Sequence, residues 1–215
     1  MERESILLIH TITGIIIFIS GLLQILLKKG GKIHKILGNV YLYSWFVVLI
    51  SGAYLGGFLI TIVGIFGFYF ALTGSRIGKL KNSGITIFEK STFIFGGLLA
   101  IVMLGYAINL FIKGSKSYWI IFAVFGGIFT FVTVQDIFKY VLLKPLKKQI
   151  YGQLDWYFEH FTRMFISFIA ATTAFVSIQD LFGNTTMNFI MPTIIGTIMI
   201  FFSTKFYKKK LNIEK

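Results

Sequence analysis

The residues of this 215-residue chain able to do chemistry are few: His10, His34 and His160, with Gln24, Tyr41, Asp136, Glu159 and Arg163. Two neutral imidazoles from different helices can take the axial positions of a b-type haem, and His34 with His160 is the pair that could do so. The alternative for the same pair is hydrogen bonding to loop carbonyls or lipid phosphates. Asp136 and Arg163 would form either an internal ion pair or a proton relay, because an unpaired charge at membrane depth is expensive. Glu159, next to His160, would orient its imidazole or face the headgroups. Gln24 and His10 serve equally well as hydrogen-bonding glue between helices.

Cysteine is absent, which excludes structural disulfides, thiolate metal sites, iron–sulfur clusters and covalently attached haem. A cofactor would have to be held by His, carboxylate or packing. There is no H-E-x-x-H pattern. His10 is also too far from the others for a three-histidine zinc site, lying about 27 Å of helix from Lys28. No catalytic residue is assigned, and no metal beyond a haem iron at His34 and His160.

The elements that must position these groups are membrane helices. Hydrophobic residues make up 56% of the chain, and a mean hydropathy of +0.81 is too high for a soluble domain with a polar skin. Uncharged from Ile6 to Leu27, the first apolar run is long enough to cross the roughly 30 Å core of a bilayer. It follows an acidic N-terminus and is longer than the core of a cleaved signal, so it is expected to stay. Apolar runs predict an all-α, polytopic bundle of seven helices, near 5–28, 36–54, 57–76, 91–112, 118–143, 158–180 and 186–205, forming one membrane domain over 1–215.

The net charge of +13 reports topology rather than nucleic-acid binding, since the charges sit between apolar runs. Eighteen basic residues fall on one side: Lys28, Lys29, Lys32 and Lys35; Arg76, Lys79, Lys81 and Lys90; Lys139, Lys144, Lys147, Lys148 and Arg163; Lys205, Lys208, Lys209, Lys210 and Lys215. Arg3, Lys113 and Lys116 fall on the other. The positive-inside rule then places the N-terminus outside and the C-terminus in the cytoplasm. Most of the lysines read as solvated loop charges.

In the first helix His10, Thr13, Gly14, Ile17, Ser20, Gly21 and Gln24 recur at helical spacing and form one protein-facing stripe. Gly57, Thr61, Gly64, Gly67, Ala71 and Gly74 give the third helix a close-packing face that predicts a central position. Arg163, Ser167, Ala170, Ala171, Ala174 and Ser177 form a similar stripe in the sixth. Pro192 predicts a kink in the last.

Depth sorts the polar groups. Gln24 lies about 6 Å inside Lys28, Arg163 about 5 Å inside His160, Asp136 about 12 Å inside Lys144, and Tyr41 about 10 Å deep. With His34 and His160 these share the cytoplasmic leaflet, whereas His10 lies toward the outer one. The expected site is built from the first, second, fifth and sixth helices, with His34, His160, Arg163, Gln24 and Tyr41 around a haem or quinone.

The series H10-x3-G14, G21-x2-Q24 and H34-x3-G38-x2-Y41, followed by H160-x2-R163-M164 and T173-A174-F175, resembles a family of bacterial multi-pass membrane proteins known as a predicted membrane domain of unknown function. The resemblance implies a helical bundle and a shared pattern of His10, Gln24, His34, Gly38, Tyr41, His160 and Arg163, without an established activity. The outline is also similar to cytochrome b561-type bundles, which pair histidines on both sides; here His10 is unmatched.

The expectations are therefore a redox-type module binding haem b or quinone in a bacterial plasma membrane, a proton-coupled carrier of a small solute or lipid, or an accessory subunit. Its surroundings would be the lipid bilayer and other membrane proteins, with no nucleic acid.

Overall fold

A computed structural model describes residues 2–115, 117–143 and 151–213. Lys116, Lys144, Lys147, Lys148 and Lys215 of the charge pattern lie outside the described residues, as does the reference point used for the depth of Asp136. Among the described residues there are seven helices long and apolar enough to cross a membrane. They are α1 (Glu2–Leu26), α2 (Lys32–Leu55), α3 (Gly57–Leu80), α4 (Ile87–Ile112), α5 (Tyr118–Asp136), α6 (Asp155–Ile178) and α7 (Thr185–Lys210).

Several helices start earlier or end later than the apolar runs suggest, and local chemistry accounts for the difference. α4 begins at Ile87 rather than near 91 because Thr86 and Glu89 form a reciprocal capping box, the Thr86 N–H donating to Glu89 Oε2 at 2.9 Å. Glu89 is buried and also accepts from Arg76 Nε at 2.5 Å, which ties the end of α3 to the start of α4. α3 continues to Leu80, past the expected 76, and so carries Gly78 within the helix. α7 starts where the Asn184 side chain accepts the Met187 N–H at 3.1 Å, and it runs unbroken through Pro192 to Lys210.

At the end of α5 the backbone widens into a π-turn over Ile137–Val141, with the Leu142 N–H donating to the Ile137 carbonyl at 2.9 Å. That turn swings Lys139 and Tyr140 toward α6, where both bond to Glu159. A short 3-10 turn at Gly152–Leu154 leads into α6.

The small-residue face of α3 puts this helix at the centre, packed along α2 on one side and α6 on the other. Gly67 is what lets α2 close on it: a Cβ there would stand 2.2 Å from the Trp45 ring. α1 pairs with α2 and touches α6, α7 lies along α6, and α4 and α5 form a hairpin. The hairpin attaches to α3 through an aromatic cluster in which Phe66 meets Phe125 and Phe129 at 5.2 and 5.5 Å between ring centres, and Tyr69 meets Phe129 at 4.7 Å.

The inner half of the α1 stripe is buried as the spacing predicts, Ile17, Ser20, Gly21 and Gln24 facing protein, whereas His10, Thr13 and Gly14 are only half-buried and a Cβ at Gly14 would meet nothing within 4 Å. Leu7, Leu8, Ile15, Ile19 and Leu22 face outward, an apolar surface suited to acyl chains.

Candidate functional site

His34, in the first turn of α2, and His160, in the second turn of α6, meet at the same end of the bundle. Their ring centres are 6.3 Å apart and their planes nearly perpendicular, at 78°. α3 supplies the surface that sets them. A Cβ at Gly78 would stand 2.6 Å from His160 Nδ1, so the imidazole lies directly against bare α3 backbone. One turn back, the Gly74 carbonyl accepts a hydrogen bond from His160 Nδ1 at 2.8 Å. That bond puts the ring proton on Nδ1, and in the neutral imidazole it leaves Nε2 as a free lone pair. His34 Nδ1 is buried and has no partner among the described residues.

The two rings line a cavity of about 640 Å³ enclosed by α1, α2, α3 and α6. Gln24 and Tyr41 line it too. The Gln24 amide nitrogen is buried without a partner, and its oxygen lies over Gly38, 3.4 Å from where a Cβ would stand. The Tyr41 hydroxyl is already engaged with Ser167 Oγ at 2.7 Å. Phe161, Met164, Phe165 and Phe168 give the cavity an apolar side, and Lys29, Lys35, Lys79 and Lys81 stand around it with no carboxylate among the lining residues. Lys29, in the α1–α2 connection, donates to the carbonyls of Gln24 at 2.5 Å and Ile25 at 2.7 Å. Burial holds its ammonium below the ordinary lysine value.

Arg163 does not line this cavity. Its guanidinium bonds to Asp136 on α5 and to Thr73 Oγ1 at 3.2 Å, and Tyr69 adds a long bond of 3.4 Å to the other Asp136 oxygen. Arg163 is thus half of a buried ion pair, and α3, rather than α5, is the fourth wall of the site. Glu159 engages Lys139 and Tyr140 instead of His160, whose orienting partner is the Gly74 backbone. His10 lies at the far end, hydrogen-bonded to Ser51 Oγ at 2.8 Å and packed on Gly52.

Lys29, Lys35, Lys79 and Lys81 had the look of topology markers, and their convergence on one cavity is a tertiary fact. Gly78 and Gly74, four residues apart and facing His160 and Arg163, did leave a signal in sequence, but the expected helix stopped short of Gly78. Among the described residues no cluster of three or more His, Cys, Asp or Glu could hold a bare metal ion.

The spacing of the two imidazole rings suits either ring ligand. An imidazole nitrogen sits about 2 Å from a metal ion and about 1.1 Å from its own ring centre, so two rings on one iron hold their centres about 6 Å apart. Two rings hydrogen-bonded to one oxygen at about 2.8 Å, along directions about 120° apart, hold theirs about 7 Å apart. The observed 6.3 Å lies between these values. No protein-family profile, curated protein or solved structure matches this chain, so the chemistry of the cavity is read from its own residues.

Proposed function

We propose that this chain is a redox-type module of the bacterial plasma membrane, N-terminus outside, that binds a haem b or a quinone ring in the α1–α2–α3–α6 cavity. The observation that carries the reading is the facing pair itself: His34 and His160 at 6.3 Å, with the His160 tautomer set by Gly74. A bound haem or quinone would supply the electron chemistry. The chain's own part is to bind and orient it. His160 Nε2 offers a lone pair to iron or to a quinol hydroxyl, and His34 offers a second ligand or an N–H to the same oxygen. The buried Gln24 amide donates to a carbonyl or carboxylate, and the surrounding lysines favour propionates or a reduced, anionic ring. The bond between Arg163 and Asp136 removes that arginine from any contact with the ligand, in favour of holding α5 against α6.

The test is ligand binding by the purified protein in lipid nanodiscs. Haem addition is followed by the growth of a Soret band. Quinone addition is followed by quenching of Trp156, which lines the cavity, in a Trp45→Phe, Trp119→Phe background that removes the other two tryptophans of the chain. Binding of one of these ligands, abolished by His160→Ala and by His34→Ala, is the expected result. Failure of both ligands to bind the wild-type protein overturns the proposal.

A further inference from the structure

A second opening lies between α1, α6 and α7, a groove of about 350 Å³. Ile25, Lys29, Phe161 and Phe165 line both the groove and the histidine cavity, so the two are adjacent and these four side chains form the boundary between them. On its outer side the groove is bounded by α7, whose Phe202 and Phe206 are 63% and 60% exposed and face the acyl-chain region. A chain passing between the shared side chains from the cavity would enter this groove and reach the exposed aromatic face of α7. We propose that the ring held by His34 and His160 carries a hydrocarbon chain that leaves through this groove, and that the ligand is accordingly a chain-bearing quinone delivered from the bilayer. The inference rests on the cavity reading given under Proposed function and narrows it, because haem b has no hydrocarbon chain to place there.

The junction is built for such a ligand. Lys29 stands between the two spaces, but its ammonium is turned back onto the α1 carbonyls of Gln24 and Ile25, which leaves its four-carbon stem along the passage. Ser203 is the small residue of the groove, set among the aromatic rings of α7. Phe161 to Phe165 and Phe202 to Phe206 each span about 6 Å of helix, so the groove holds the first few carbons of a chain and the remainder lies among lipids. Headgroup chemistry matches: the ring end meets a wall that holds both imidazoles, Gln24 and cationic lysines, while the chain end meets Ile25, Phe161, Phe165, Phe202 and Phe206, with Ser203, Tyr207 and the Lys29 stem as the remaining groove residues.

Apolar character alone gives a chain no preference for the groove over surrounding lipid, since the two are equally apolar. The test therefore reads shape. Two probes share one dimethoxy-methyl-benzoquinone ring, one bearing a decyl chain and the other none; each is titrated into nanodiscs while Trp156 fluorescence is followed in the Trp45→Phe, Trp119→Phe background. Ser203→Leu and Ser203→Phe fill the groove without touching the cavity, and retained helicity and a monodisperse disc confirm folding. Partitioning of the chained probe into the disc is common to wild type and variants and cancels in their ratio. The expected result is that both variants weaken the chained probe about tenfold or more and leave the chainless one within about twofold.

Equal weakening of both probes, or no effect on either, overturns the inference. Absence of quinone binding with a Soret band on haem addition overturns it too, but leaves the cavity reading standing. Absence of both takes the cavity reading down with it.

Discussion

His160 is held by two glycines of α3, one giving a carbonyl and the other giving room. Placing a methyl group at Gly78 would put carbon 2.6 Å from the imidazole, and a ring cannot bend away as a flexible chain end can. Gly78→Ala is therefore expected to push His160 off the Gly74 carbonyl and to abolish ligand binding as fully as His160→Ala does. Circular dichroism of the variant should stay that of a folded bundle. A variant that still binds would show that the tautomer-setting bond is dispensable. At Lys29 burial depresses the ammonium's affinity for its proton, so the folded chain holds that proton less tightly than the unfolded one. The contribution of Lys29 to stability accordingly rises with pH, in the window between its lowered value and the ordinary lysine value of 10.5. Melting curves across that window should rise less steeply with pH in Lys29→Met than in wild type.

At the scale of elements, the ion pairs Arg76–Glu89, Lys139–Glu159 and Arg163–Asp136 share one property: each joins α3 or α6 to the α4–α5 hairpin or its π-turn. The hairpin otherwise rests on the ring cluster around Phe66 and Phe129. Arg163 and Asp136 are both buried, so removing one partner strands a charge in a low-dielectric interior. Asp136→Leu and Arg163→Leu are each expected to destabilise the bundle by about 3–5 kcal/mol in denaturant titrations in detergent. The double replacement is expected to cost less than either single one, because no uncompensated charge remains. Additive losses in the double variant would mean that the pair does not act as a unit. Neither single variant removes a residue that lines the histidine cavity, so quinone or haem affinity measured below the melting range should stay near that of wild type.

For the whole molecule, the structure gives the two ends of the bundle distinct characters. His10, Ser51 and the α6–α7 connection mark one end; the histidine cavity with Lys29, Lys35, Lys79 and Lys81 marks the other. By the positive-inside rule the cavity end is expected to face the cytoplasm. The lack of cysteine makes this directly measurable. Single cysteines at Ser83, between α3 and α4, and at Asn184, before α7, should be labelled from opposite sides by a membrane-impermeant maleimide. Asn184→Cys is expected to react in intact cells, and Ser83→Cys only after lysis. The reverse result would put the histidine cavity on the outer face.

Much of this architecture was legible from the chain alone, since a membrane helix must satisfy its own backbone and needs an uninterrupted apolar run, and both demands are local. The seven spans, the buried stripe from Ile17 to Gln24 and the central place of α3 follow from that. The shared level of His34 and His160 follows too, because depth is a count of residues along a rod. Which rods are neighbours is a different kind of question, decided by how small faces and rings from distant segments fit together. Gly67 admits Trp45, Gly78 admits His160, and Arg163 turns to Asp136 instead of the cavity. Those choices put α3 where α5 was expected, and brought four lysines that look like scattered loop charges to one site. Packing is a property of pairs of surfaces, and no single stretch of sequence contains both.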